Sequence, residues 1–133
     1  MIPQISQAPG VVQLVLNFLQ VLEQQGFTGD TATSYADRLT MATDNSVYQL
    51  LPDAILFPRS TADVALLARL AAEPRFQSLI FTPRGGGTGT NGQALNAGII
   101  VDMSRYMNRI IEINPEEGWV RVEAGVIKDQ LNQ

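Results

Sequence analysis

A glycine-rich segment holds the residue types in this sequence that could bind a ligand. Residues 80–92 have the sequence IFTPRGGGTGTNG and contain five of the chain's 11 glycines. Because glycine carries no side chain, backbone N–H groups in such a loop can come close to the oxygens of a ligand. We therefore predict a loop that binds phosphate or pyrophosphate, formed by Arg84, Gly85, Gly86, Gly87, Thr88, Gly89, Thr90, Asn91 and Gly92.

Two common nucleotide-binding motifs do not explain this loop. Gly87, Gly89 and Gly92 match the pattern G-x-G-x-x-G, but a dinucleotide-binding fold needs a helix of about 10 or more residues after it. Only residues 93–97 separate Gly92 from the next apolar segment. A Walker A loop is excluded because no Gly-Lys-Ser/Thr follows. A surface loop without a ligand remains an alternative, and Arg84 could pair with a phosphate or with a carboxylate of the frame.

The chain lacks the residues that most often carry proton transfer and metal binding. It has no Cys and no His, which excludes a thiolate, a disulfide and a histidine base within these 133 residues. The net charge of −4, without a basic cluster, argues against nucleic acid as a partner. No apolar run reaches the ~18–20 residues of a membrane span, and no basic flank marks a secretory signal. We expect a cytoplasmic binding segment, and peripheral attachment to the inner membrane through other parts stays open.

The first element that must support the loop is an amphipathic helix over residues 11–25. Pro9 stands near its expected start, and Gly26 stands where a C-terminal cap belongs. A shorter helix is predicted over residues 34–41, followed by a turn at residues 44–46. The apolar residues of the first helix recur at helical spacing and predict a face packed on a core: Val11, Val12, Leu14, Val15, Phe18, Leu19 and Leu22.

The middle of the chain predicts a strand, a helix and a strand that lead into the glycine loop. An apolar strand over residues 54–57 is followed by a helix that Ser60 and Asp63 cap, and then by a strand over residues 78–82. This order favours a parallel pair of strands. Ligands of parallel sheets bind beyond the carboxyl ends of the strands, which is where the glycine loop falls.

Strand signals continue after the loop. Residues 98–102 are nearly all apolar and predict a central strand. Residues 109–113 and 119–123 flank the segment NPEEG and predict a hairpin with one buried and one exposed face. Residues 127–133 predict the first turns of a helix. Since the chain then stops without a cap or a turn, we expect a fragment of a longer protein.

Four blocks in a fixed order give the chain a specific resemblance. They are PDAILFPRSTADV, TPRGGGTGTNG, IIVDMSRYMNRIIEI and VRVEAGV, and they lie within residues 44–133. Together they resemble the opening of the FAD-linked oxidases, the family that includes vanillyl-alcohol oxidase, p-cresol methylhydroxylase, glycolate oxidase and the D-2-hydroxyacid dehydrogenases. With its helical N-terminal part, the chain is most similar to long bacterial flavin/iron–sulfur proteins of the D-2-hydroxyglutarate dehydrogenase-like group.

The resemblance implies an α+β fold, the first subdomain of a PCMH/VAO-type FAD-binding domain, with a small mixed or parallel sheet flanked by helices. Residues 1–43 would form a helical N-terminal extension, and residues 44–133 the first, truncated part of this domain. The glycine loop would bind the FAD pyrophosphate, without a covalent bond because it has no His. A 4Fe–4S cluster would belong to a later part of the protein.

The function that the resemblance implies is oxidation of a D-2-hydroxy acid such as D-2-hydroxyglutarate by an FAD-dependent dehydrogenase or oxidase. No catalytic residue can be named within this chain. We expect the isolated chain to be inactive, to bind FAD weakly or not at all, and to self-associate through apolar surface. A UDP-N-acetylenolpyruvylglucosamine reductase-like flavoprotein and a non-catalytic nucleotide- or phosphate-binding module are the alternatives. The matching segment with Asp102, Ser104, Arg105 and Asn108 is interpreted as strand termination and turn capping.

Overall fold

A four-stranded mixed sheet is the centre of the fold, and the computed structural model describes it within residues 10–133. Its strands stand in the order β1-β2-β4-β3. β2, β4 and β3 run parallel, and β1 pairs antiparallel with β2 at the edge. The strand bounds are β1 Asp30–Ala32, β2 Ala54–Phe57, β3 Phe81–Arg84 and β4 Ile99–Asp102.

Four helices and a separate hairpin complete the described residues. The helices are α1 Gln13–Gln24, α2 Tyr35–Thr40, α3 Thr61–Ala71 and α4 Lys128–Leu131, and a 3-10 turn spans Pro74–Phe76. The hairpin consists of β5 Ile110–Asn114 and β6 Trp119–Val122. The predicted α+β class with a small mixed sheet is therefore confirmed. No helix of residues 10–133 is long and apolar enough to cross a membrane.

The two faces of the sheet bury alternate residues of the same strands. Ala54 and Leu56 of β2 belong to the larger core, whereas Ile55 and Phe57 face the opposite side. This alternation follows from the two-residue period of a strand. The helices α1 and α3 cover the larger core, to which they contribute Val15, Phe18, Leu22, Leu66, Leu67 and Leu70.

The predicted first helix is confirmed as α1. It ends before Gly26, whose φ of +92° suits a glycine at the C-terminal cap. One residue of the predicted apolar face does not pack: Val12, the N-cap residue of α1, is 55% exposed. Pro9 lies outside the described residues.

The cap predicted for the next long helix is confirmed, and it has a second function. The Ser60 hydroxyl accepts a hydrogen bond from the N–H of Asp63, at 3.2 Å. The buried Asp63 carboxylate in turn accepts bonds from the N–H and hydroxyl of Thr28 and from the N–H of Arg59. Burial alone would raise the pKa of Asp63, but these hydrogen bonds outweigh it and hold the pKa below its ordinary value. Asp63 therefore joins α3 to the segment that enters β1.

Two expectations about the parallel strands need correction. β2 and β3 are parallel but are not neighbours, because β4 lies between them and pairs with both. All four residues of β4 are buried, so the predicted central strand is confirmed. The strand expected over residues 78–82 begins only at Phe81. Leu79 still belongs to the turn after α3, where its N–H donates to the carbonyl of Phe76.

The predicted hairpin is confirmed, but its expected buried face is wrong. Ile113 and Val120 are cross-strand partners, and they are 64% and 39% exposed. The other face carries the ion pair between Glu112 and Arg121, at 3.1 Å. The alternation of apolar and polar residues is therefore present, but no part of residues 10–133 covers the apolar face.

Candidate functional site

The glycine loop lies at the carboxyl edge of the sheet, as predicted from the strand order. Arg84 is the last residue of β3 and pairs in register with Asp102, the last residue of β4. Phe57 ends β2 on the far side of β4. Because three parallel strands end at this edge, their following loops meet there.

The backbone of the loop offers many unused hydrogen-bond donors. Gly87 and Gly92 have φ of +67° and +75°, a conformation that favours glycine. The N–H of Asn91 donates to the side-chain oxygen of Gln93, at 3.0 Å. Among the described residues, no acceptor is found for seven other N–H groups of the loop, those of Gly85, Gly86, Gly87, Thr88, Gly89, Thr90 and Gly92.

The Arg84 side chain turns back beneath the loop. Its Nη2 donates to the carbonyl of Thr43, at 2.8 Å. A Cβ on Gly87 would lie 2.4 Å from the same nitrogen, so the guanidinium occupies the space that a side chain there would need. Within residues 10–133 no carboxylate lies at ion-pair distance from Arg84, and its Nη1 is buried without an acceptor. Arg84 therefore forms no salt bridge with a frame carboxylate among these residues.

A segment that the sequence analysis predicted only as a turn, at residues 44–46, packs against the loop. The ring of Tyr48 covers Gly92, where a Cβ would lie 3.0 Å from Cδ2. Asp44 forms a turn in which Oδ1 accepts from the N–H of Ser46, at 2.8 Å. Its Oδ2 is buried without a donor among the described residues. We name residues 43–48 the support segment.

The polar residues after β4 have the structural role that was predicted. Oδ1 of Asp102 accepts bonds from the N–H and the hydroxyl of Ser104 and from the N–H of Arg105. The Asn108 amide donates to the carbonyl of Ser104, at 3.0 Å. Asp102 thus ends the strand and caps the turn, which confirms that interpretation.

A second cluster of charges lies at the same edge of the sheet. The Tyr106 hydroxyl donates to Asp30, and Arg59 forms an ion pair with Asp30 at 3.2 Å. The Tyr106 hydroxyl, and after it Arg59, hold the pKa of Asp30 below its ordinary value, while Asp30 raises the pKa of Tyr106. The Arg59 guanidinium also lies over the Tyr106 ring, 4.0 Å from its centroid. These contacts tie the edge strand β1 to the turn after β4.

No metal centre accompanies the loop in the described part of the chain. No group of three or more His, Cys, Asp or Glu residues there could hold a metal ion. A shallow, mostly apolar pocket lies at the opposite, amino edge of the strands, where Val12, Asp53, Leu79 and Gly98 are among its lining residues. It contains none of the predicted site residues.

Comparison with solved structures shows the same fold. A structure of alkyldihydroxyacetonephosphate synthase matches 97% of this chain and 28% of its own, with a TM-score of 0.77 and 21% identity. A Physcomitrella patens BBE-like 1 structure matches 72% of this chain and 21% of its own, with a TM-score of 0.56 and 20% identity. These identities are low, so the likeness concerns the fold alone.

Comparison of sequences gives the family. The whole chain is 91% identical to a D-2-hydroxyglutarate dehydrogenase of Escherichia coli (strain K12), and 99% of it is 80% identical to one of Pantoea ananatis (strain AJ13355). The chain spans 13% of the length of each of these proteins. Residues 52–133 match the family described as FAD binding domain. The resemblance to FAD-linked oxidases is thereby confirmed, and the chain belongs to the FAD binding domain family.

Proposed function

We propose that this chain is the FAD-pyrophosphate-binding portion of a dehydrogenase that oxidises a D-2-hydroxy acid, with D-2-hydroxyglutarate as the substrate of the whole protein. The observation that carries this proposal is the 91% identity to a protein named D-2-hydroxyglutarate dehydrogenase, over every residue of the chain. The relatives favour neither a UDP-N-acetylenolpyruvylglucosamine reductase-like flavoprotein nor a non-catalytic nucleotide- or phosphate-binding module.

The geometry of the glycine loop fits a pyrophosphate. Seven N–H groups without an acceptor stand in one short segment at the carboxyl edge of the sheet. Backbone N–H groups bind phosphate oxygens in such loops without any charged side chain. The guanidinium of Arg84 lies beneath Gly87 and adds positive potential. In this proposal the cofactor-binding residues are Arg84, Gly85, Gly86, Gly87, Thr88, Gly89, Thr90, Asn91 and Gly92.

These residues can bind the cofactor but cannot carry out the whole reaction. When bound, FAD would supply the redox chemistry, as an acceptor of hydride. The loop binds and orients the cofactor through its pyrophosphate, while the groups that move the substrate proton belong to other parts of the protein. A 4Fe–4S cluster would also need ligands from other parts, because this chain has no Cys.

The attachment of FAD is proposed to be non-covalent. The chain contains no His and no Cys that could form a bond to the flavin. Acid precipitation of the full-length protein should therefore leave all the flavin in the supernatant. Flavin that stays with the precipitate would show a covalent link.

The division of the chain is also part of the proposal. Residues 1–43 would be a helical extension, and residues 44–133 would begin the FAD-binding domain, of which the family match covers residues 52–133. Because α1 packs on the same core as β2 and β4, we expect the extension and the domain to unfold together. A cytoplasmic location without a nucleic-acid partner remains proposed on the composition alone.

Purified full-length protein provides the main test. It should contain FAD and reduce an artificial electron acceptor with D-2-hydroxyglutarate. With L-2-hydroxyglutarate or D-lactate as the substrate, kcat/KM should be lower than with D-2-hydroxyglutarate by about 100-fold or more. A site that hydrogen-bonds one substrate strongly rejects analogues that cannot make the same bonds. Purification with FAD but without activity on D-2-hydroxyglutarate would contradict the substrate, whereas purification without FAD would contradict the cofactor.

The isolated 133-residue chain tests how much of the site it holds. We expect flavin fluorescence to show weak FAD binding or none, because the loop contacts only the pyrophosphate. Tight binding with one FAD per chain would show that this portion forms a complete site.

A further inference from the structure

The support segment, residues 43–48, holds the glycine loop at both ends. The Thr43 carbonyl accepts from Nη2 of Arg84 at the start of the loop. The Tyr48 ring packs on Gly92 at its end. Since neither contact uses a glycine-loop N–H group, the support segment fixes the loop while its donors stay available for a ligand.

Two buried charged atoms lie where these segments meet. Nη1 of Arg84 and Oδ2 of Asp44 are both shielded from solvent, and neither has a hydrogen-bond partner within residues 10–133. A buried polar atom without a partner is costly, so proteins keep few of them and often at functional sites. The two atoms carry opposite charges, and they belong to the two segments that the Thr43 carbonyl joins.

Asp44 and Arg84 also interact electrostatically. Hydrogen bonding from Ser46 is the main cause that holds the pKa of Asp44 below its ordinary value, and the Arg84 guanidinium and the N–H of Ala94 contribute in the same direction. Asp44 is therefore ionised at neutral pH. The Asp44 carboxylate and the Arg84 guanidinium attract each other, although their atoms lie farther apart than in a salt bridge.

We propose that Asp44 is a positioning residue for the cofactor site, whose carboxylate holds the Arg84 guanidinium beneath Gly87 and thereby fixes the conformation of the glycine loop. This inference rests on the proposed function of that loop. Asp44 makes no hydrogen bond with the loop's N–H groups, so its charge acts on FAD indirectly, through Arg84.

Removal of the Asp44 charge should change FAD binding in opposite directions for an indirect and a direct role. A carboxylate near a pyrophosphate repels it, so its removal strengthens FAD binding if the charge acts on the ligand directly. Removal weakens FAD binding if the charge acts by keeping Arg84 in place. Asp44→Asn removes the charge and retains a side-chain oxygen that can accept from the N–H of Ser46.

The experiment measures the Kd of FAD for the full-length apo-protein by flavin fluorescence. We expect Asp44→Asn to raise the Kd by about tenfold, and Glu116→Gln to leave it unchanged. Glu116→Gln is the matched control because it alters net charge equally in the hairpin turn. In the Arg84→Gln background, Asp44→Asn should have no further effect, since the group that it positions is gone.

Several outcomes would overturn the inference. They are an unchanged or lower Kd in Asp44→Asn, or a further tenfold rise in the Arg84→Gln background. A wild-type Kd in Arg84→Gln would instead contradict the proposed role of Arg84 in the cofactor site. Asp44→Ser provides a second neutral variant with an acceptor for Ser46 if the Asn variant does not fold, and the same results are expected of it.

Discussion

The rings of Phe18 and Phe76 meet edge to face, with their centroids 5.1 Å apart and their planes at 88°. Phe18 belongs to α1, and Phe76 ends the 3-10 turn that leads towards β3. Phe81, the first residue of β3, lies at the same centroid distance from Phe18 on a tilted ring. The N-terminal helix therefore packs directly on the segment that carries the glycine loop.

Removal of the Phe18 ring should destabilise the sheet as well as the helix. Phe18 is fully buried, and Phe18→Ala should lower the free energy of unfolding by about 3–5 kcal/mol. Leu16→Ala on the exposed side of α1 should cost less than about 1 kcal/mol. Chemical denaturation followed by circular dichroism measures both values. A loss of helix alone in Phe18→Ala, with an intact sheet, would contradict a shared core.

The correctly predicted elements are those whose buried residues form a recognisable apolar pattern within a short stretch of sequence. The run over residues 98–102 predicted a central strand because both faces of such a strand are buried. The strand predicted over residues 78–82 starts too early, because Leu79 and Ile80 are apolar and continue the pattern of the strand. In the structure Ile80 precedes β3 and is 65% exposed. The apolar face of the hairpin was predicted correctly as a pattern, but its cover is not determined by residues 10–133.

The candidate site shows the same limit. Its glycine loop is recognisable in the sequence, because binding phosphate through backbone N–H groups requires several glycines close together. The support segment is not, because Thr43 contributes a backbone carbonyl that any residue would supply. Its contact with Arg84 spans 41 residues of sequence. No local pattern records such a pairing.

Gly87 should not tolerate a side chain. In Gly87→Ala the φ of +67° costs about 1–2 kcal/mol, and the new Cβ displaces the Arg84 guanidinium. We expect the full-length variant to lose FAD during gel filtration. Gly118→Ala is the matched control, because Gly118 has a φ of +72° but nothing within 4 Å of a Cβ. Loss of FAD in both variants would show that general destabilisation, and not the loop, is responsible.

Gly125 should be equally intolerant, for a different reason. A Cβ there would lie 2.1 Å from the Met103 carbonyl oxygen and 2.7 Å from that of Met107. These are backbone atoms, and the N–H of Gly125 bonds the Met107 carbonyl, so neither side can move cheaply. Gly125→Ala should destabilise the chain by about 3 kcal/mol. Gly10→Ala, with open space at its Cβ, should change the stability by less than about 0.5 kcal/mol. Equal stabilities in denaturant titrations would contradict the packing described.

Asp63 should make the stability fall in acid. Its folded-state pKa is lowered, so its contribution is present above the unfolded pKa and is lost as pH falls through the folded pKa. Asp63→Asn should cost about 2 kcal/mol at neutral pH, because it weakens the bonds from Thr28 and Arg59. The variant should also show a shallower decline between neutral and acidic pH in denaturant titrations. Parallel curves for the two proteins would assign the acid sensitivity to other carboxylates.

The exposed hairpin should make the isolated chain self-associate. Ile113 and Val120 lie opposite each other on its apolar face, and contact between two such faces removes apolar area from water, worth roughly 25 cal/mol per Å². Ile113→Thr keeps a β-branched residue in the strand but makes this face more polar. It should shift the mass in sedimentation equilibrium towards that of a monomer. Glu112→Thr introduces the same residue on the opposite face, where loss of the exposed ion pair with Arg121 costs little. If Ile113→Thr associates as strongly as Glu112→Thr, contact occurs through another surface.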